Sequence, residues 1–108
     1  MINSKSFVPA DNAKAYQLFT TSKRCSWATI QSKSGNANGV VQIYGVVESS
    51  VGASSGPQPG DLMYELVAAG DAFVIFPGSR ELVVDLSHIF IKVANNNGTD
   101  GVNVAYTK

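Results

Sequence analysis

The sequence predicts a small all-β fold: an antiparallel β-sandwich or jelly roll of about eight strands with an extended N-terminal arm. Three observations carry this. Apolar residues alternate with polar ones at period 2 through much of the last forty residues, as in Leu82-Val83-Val84-Asp85-Leu86, Ile89-Phe90-Ile91-Lys92-Val93 and Val102-Asn103-Val104-Ala105-Tyr106. Gly, Asn and Pro cut these runs at short intervals. The hydrophobic fraction is 44% over 108 residues, enough for one folded domain.

The elements follow in order. Residues 1–12 read as an arm, because Pro9 closes Ser6-Phe7-Val8 and cannot donate to a ladder. Residues 13–108 read as a single sandwich domain. Residues 14–19 form a strand with Tyr16 and Leu18 on one face and Gln17 and Phe19 on the other. A turn at 21–24 leads to a strand at 25–32, and the Gly/Asn-rich stretch 34–39 makes a hairpin loop. Residues 40–47 are rich in β-branched and aromatic side chains and form the next strand. Residues 48–60 hold the Gly, Ser and Pro of a long loop.

Residues 61–69 admit two readings. Leu62, Leu66 and Ala69 behind Asp61 fit a short helix, whereas Tyr64, Leu66 and Ala68 alternate as a strand. The β character of the neighbours favours a strand or irregular edge. Residues 72–76 are apolar on both faces and predict a central strand covered on both sides. After Pro77-Gly78-Ser79, Leu82, Val84 and Leu86 point inward, with Glu81, Val83 and Asp85 outward. Ile89, Ile91 and Val93 then point inward, opposite His88, Phe90 and Lys92. A turn over 95–101 precedes Val102, Val104 and Tyr106, which close the core.

Composition excludes several function classes. Eight basic and eight acidic residues give zero net charge, which does not fit a nucleic-acid partner. Charged residues make up only 15%, as expected of a component of an assembly. The balance hides an asymmetry: residues 1–33 carry five basic groups and one acid, and residues 34–108 carry three basic groups and seven acids. Either the charges scatter over a solvated surface or the domain is dipolar, with a basic side for an acidic partner surface. Interleaving of the two halves on folding would erase the asymmetry. The N-terminus lacks the apolar core of a secretory signal, and no apolar run reaches the ~18 residues of a membrane span. The expectation is a soluble chain made in a cytoplasm, with no membrane partner.

The residues do not spell a reaction. A nucleophile–base–acid triad would have to use His88, the one histidine, and no Gly-x-Ser-x-Gly turn accompanies it. Cys25 cannot form an intrachain disulfide and reads as a buried small hydrophobe. The carboxylates Asp61, Glu65, Asp71, Glu81 and Asp85 mostly fall near strand ends, where they face solvent. Residues 95–101 superficially resemble a calcium loop but hold one carboxylate, Asp100. No Cys/His cluster suits zinc, and no cofactor is expected. The sequon Asn97-Gly98-Thr99 is a chance match in a chain without a secretion signal. A non-enzymatic protein results, and its candidate contact residues are apolar or aromatic groups that alternation or the arm places outside: Phe7, Val8, Trp27, Val83, His88 and Phe90.

Several segments together resemble small virion proteins of tailed bacteriophages. They are Cys25-Ser26-Trp27-Ala28-Thr29-Ile30-Gln31, Val41-Gln42-Ile43-Tyr44-Gly45, the corner at 66–71, Asp85-Leu86-Ser87-His88-Ile89-Phe90-Ile91, and the close at 101–106. Such proteins include capsid decoration (cement) proteins and neck or fibre components. The resemblance implies a capsid-surface location, a major capsid protein as partner, and copies of itself as a homotrimer. The 6–9 arm would add a strand to a neighbour's sheet. The second reading is a glycan- or receptor-binding jelly roll, with Trp27, Tyr44 and Tyr64 stacking on sugars.

Overall fold

The computed structural model describes residues 2–36, 40–52, 54–75, 84–94 and 100–107. Its strands are β1 (Ile2–Phe7), β2 (Tyr16–Gln17), β3 (Arg24–Cys25), β4 (Trp27–Ser32) and β5 (Val41–Val46), then β6 (Pro59–Leu66), β7 (Ala72–Ile75), β8 (Val84–Asp85), β9 (Phe90–Val93) and β10 (Val102–Thr107). Short 3-10 turns cover Glu48–Ser50 and Leu86–His88. One sheet has the order β1-β10-β4-β7, the other β2-β9-β5-β6, and β3 pairs with β8 in a separate ribbon. Every pairing is antiparallel. The fold is the predicted all-β sandwich.

Alternation builds the core. Ala28 and Ile30 of β4 and Val102, Val104 and Tyr106 of β10 face Val41 and Ile43 of β5, Ile91 and Val93 of β9, and Leu66 of β6. β4 and β10 bury alternate residues because successive side chains leave the pleat on opposite faces. Phe19 meets Tyr106 edge-on, with ring centroids 5.5 Å apart. Among the described residues, no buried side-chain nitrogen or oxygen lacks a hydrogen-bond partner.

Irregular segments are closed by particular side chains. The Asn36 amide acts as a one-residue strand: it accepts from Gly101 N at 2.9 Å and donates to Gly101 O at 3.0 Å and Ser32 Oγ at 2.9 Å. Gly101 has to be glycine, since a Cβ there would lie 2.1 Å from the carbonyl oxygen of Phe7. The long loop after β5 is pinned at its base. Val47 N donates to Gln58 O at 3.0 Å, and Ser50 Oγ donates to Val47 O while accepting from Gln58 N.

The structure corrects several expectations. Residues 2–7 do not form a free arm: β1 pairs with β10 along its whole length, as an edge of the chain's own sheet. Asn3, Lys5 and Phe7 turn inward there, and that alternation gives the segment a face to bury. The 61–69 stretch takes the favoured of its two readings, a strand at a sheet edge, running from Pro59 to Leu66 and ended by a turn in which Asp71 accepts from the N–H groups of Val67 and Ala68 and Gly70 takes φ 89°. The 72–76 strand is not central. β7 is a terminal strand of its sheet, with Phe73 and Ile75 turned in and Val74 56% exposed. The 25–32 strand is interrupted at Ser26, whose N–H donates to Thr107 O, so Arg24–Cys25 leaves to pair with β8.

Phe90, expected outside, is 5% exposed. It does lie on the outer face of β9, between its register partners Gln17 of β2 and Tyr44 of β5. Neighbours ~5 Å away on both sides withdraw it from solvent. His88 belongs to the 3-10 turn and is half-buried, not set on an outward strand position.

Candidate functional site

The most distinctive surface is the flank formed by β6 and β7. Among the described residues, β6 pairs with β5 alone. Its register runs Val41–Leu66, Gln42–Glu65 and Ile43–Tyr64, then slips to Tyr44–Leu62 and again to Val46–Pro59. Each slip places one extra residue on β6, and the first is Met63. The first slip falls within Leu62-Met63-Tyr64, an apolar triplet whose middle residue strict alternation would put on the opposite face from its neighbours. The bulge re-aims Met63, which lies over Gly45, where a Cβ would stand 2.9 Å from the Met63 sulfur.

Leu62, Met63 and Tyr64 are all exposed, as are Val67 at 66% and Val74 on the adjoining β7. Leu66, fully buried, anchors the strand from below. The Tyr64 ring stacks on Phe73 at 5.1 Å and 22°, tying the two sheets together along this flank. Leu62 lies opposite the outward Tyr44, and Val74 opposite the outward Thr29 of the other sheet, so the flank exposes large apolar side chains on both outer faces around the Tyr64–Phe73 stack. Asp61 and Glu65 stand exposed on the same strand, and Glu65 accepts from Gln42 Nε2 at 3.3 Å. Bulges and charges both blunt an edge against indiscriminate pairing, so β6 is suited to contact through side chains and not through its backbone.

The residues singled out from the sequence do not converge on one site. Phe7 is half-buried and packs against the core, and Val8 follows it as an exposed residue at the β1 edge. Trp27 opens β4, half-buried opposite Thr107. His88 sits between β8 and β9, Phe90 is buried, and Val83 lies outside the described residues. Sequence reasoning missed the surface role of Leu62, Met63, Val67 and Val74. The apolar triplet was the available signal, since an unbroken strand cannot bury all three.

The sugar-stacking set does not assemble. Tyr64 lines up with the inward-facing Ile43, whereas Tyr44 lies on the outer face with its hydroxyl 3.0 Å from Gln42 Oε1. Trp27 belongs to the other sheet.

Titratable groups are engaged in structure. Burial pushes the Cys25 thiol up, away from its nucleophilic form. Burial also opposes ionisation of Asp85, but hydrogen bonds from Lys23, Ser22 and Ser87 outweigh it and hold the carboxyl well below the usual range. The Asp11 carboxyl is lowered by the Ala13 N–H and the Tyr16 hydroxyl, and the Tyr16 phenol is raised in turn. Among the described residues, no three His, Cys, Asp or Glu side chains gather as a metal site. An open depression of about 250 Å³ is lined by Asn12, Val40, Gln42, Lys92, Val93 and Ala94, with Lys92 its one charged group. Among the described residues, no helix is long and apolar enough to cross a membrane.

No family model matches the chain, and neither curated proteins nor solved structures give a match.

Proposed function

We propose that this chain is a structural virion protein, a capsid decoration (cement) protein that bridges major capsid protein subunits as a homotrimer on the shell surface. The observation that supports the contact role is the β6/β7 flank, where Leu62, Met63, Tyr64, Val67 and Val74 are exposed together with Asp61 and Glu65. The virion setting is supported by the sequence resemblance of the strand segments.

The physical demands of such a role match the materials present. A cement protein resists internal pressure by holding neighbours together, so it needs contact area and a stiff scaffold. A single contact of ~800 Å² per partner suffices when symmetry repeats it many times. Stiffness comes from two four-stranded sheets locked over one core.

Quantitative mass spectrometry of purified virions encoding this chain tests the reading. Hundreds of copies per particle are expected, and particles lacking the protein should lose shell integrity at lower temperature. Absence from purified particles, or a shell equally stable without it, overturns the proposal.

A further inference from the structure

Two pairs of terminal strands close the sandwich. On one flank β6 meets β7 through the Tyr64–Phe73 stack. On the other β1 meets the β2 segment through Lys5, whose Nζ donates to Leu18 O at 2.9 Å and lies 4.1 Å from the Phe19 ring centroid.

Charge divides along the same axis. Lys23 reaches to 5.7 Å from the Phe19 centroid, so two ammonium groups share that ring. Lys14 lies 5.2 Å from the Tyr16 ring, and the Lys33 amine bonds the Ser6 hydroxyl on β1. Among the described residues, three carboxylates lie on this side: Asp11 beside Lys14, Asp85, which is occupied by Ser22, Ser87 and the Lys23 amide, and the buried Asp100, next to Gly101, whose carbonyl accepts from the Lys33 N–H. The opposite flank carries Asp61 and Glu65 on β6, with Glu48 before it and Asp71 after it. No lysine or arginine occurs between Lys33 and Arg80. Among the described residues, the nearest cation across the sheet is Lys92, which lies two strands from β6, opposite Gln42. Among the described residues, Asp61 and Glu65 thus stand on the β6 side and Lys5, Lys14 and Lys23 on the β1/β2 side, while Asp85 and Asp100 of the acidic stretch fold onto the basic side and Arg80 and Glu81 lie outside the described residues.

Both flanks also expose apolar side chains. Ile2, 70% exposed, and Val8 lie on the basic flank, and Leu62, Met63, Val67 and Val74 on the acidic one. We propose that the two flanks are the complementary halves of one contact, and that copies of this chain join head to tail, the β6/β7 flank of one against the β1/β2 flank of the next. This rests on the reading of the domain as a contact protein and names the surfaces that join its copies.

Three physical arguments select this arrangement. A symmetric contact of β6 on β6 would set Asp61 and Glu65 against their own copies, and β1 on β1 would oppose lysines. Like charges across an interface are strongly disfavoured. Strand direction suits the heterologous contact: three antiparallel steps separate β1 from β7, so a translated copy presents β1 antiparallel to β7. β7 also keeps an uninterrupted register with β4, whereas β6 is bulged twice and contributes side chains. Heterologous contacts build rings or filaments, which stoichiometry distinguishes from a two-fold dimer.

Sedimentation of the full chain at micromolar to millimolar concentration, at low and high salt, tests the proposal. The wild type is expected to self-associate and to weaken as salt screens the charges. One variant reverses the acidic flank (Asp61→Lys with Glu65→Lys) and the other the basic flank (Lys14→Glu with Lys23→Glu). Each alone should lose self-association by at least about tenfold. Their equal mixture should recover association into open chains and even-membered rings, because every contact between unlike variants again opposes acid to base, whereas a closed ring of three keeps one like-variant contact. Circular dichroism confirms folding, and the salt response of the wild type stands as a test even where a variant unfolds. A wild type monomeric at every concentration, or association indifferent to salt and to both reversals, overturns the inference. Self-association by a chain absent from virions would sink the decoration reading and leave this one intact. Virion-bound copies that stay monomeric in solution would do the reverse.

Discussion

Asp85→Ala tests how three separate segments are tied together. The carboxylate accepts from the Lys23 N–H at 2.9 Å, the Ser22 hydroxyl at 2.7 Å, the Ser87 N–H at 3.0 Å and the Ser87 hydroxyl at 2.7 Å. It joins the turn before β3, the strand β8 and the 3-10 turn before β9. In the alanine variant the two hydroxyls can rotate toward water, but the two backbone donors are fixed in a partly buried place. At about 1–1.5 kcal/mol each, their loss sums to about 2–3 kcal/mol. For a domain of this size that lowers Tm by about 10 °C at neutral pH, read by circular dichroism. Asp85→Asn keeps an acceptor oxygen without the charge and should lose roughly half as much.

Acid titration isolates the carboxylate. An unfolded aspartate titrates near about 3.9, and Asp85 in the fold titrates lower. Its contribution is therefore complete above the unfolded value and is lost as pH falls through the folded value. The wild type should drop toward Asp85→Asn below about pH 4. A neutral-pH loss under about 2 °C, or a gap between wild type and Asp85→Asn that stays constant through acidification, would refute the reasoning.

Three further outcomes follow from the packing. Leu66→Ala removes the fully buried anchor of β6 and should cost about 2–5 kcal/mol in urea unfolding, against a change near zero for the exposed Val67→Ala. Gly101→Ala forces a methyl group into the Phe7 carbonyl, so β1 must shift away from the core. Amide exchange in β1 and β10 should accelerate, with a stability loss of about 1–3 kcal/mol. Cys25, 1% exposed with its thiol pushed up by burial, should react with iodoacetamide at least about a hundredfold more slowly in the native chain than in denaturant.

Much of the fold was legible because alternation is a local property. Ile91 and Val93, Val102 and Val104, and Ala28 and Ile30 all face inward as their period predicts. The same logic misassigned the 72–76 strand. An apolar run reads as central, but its position depends on β4 lying beside it and on no further described strand lying beyond. Phe90 failed for a related reason. Its outward face was correct, yet only the register with Gln17 and Tyr44 decides that this face is closed there. The exposure of Leu62 and Met63 escaped notice because two bulges in β6 break the period on which the sequence reading depended.

By itself the sequence determined the all-β class, the main strand segments and the inward rows of the core, since side-chain period is written into each strand. It also carried the charge asymmetry of its first and later thirds. Only the tertiary structure decided which strands end the sheets, and with them which apolar side chains remain in water and on which flank each charge collects. Those are consequences of strand order, and strand order comes from pairing between residues far apart in the chain, which no local period records.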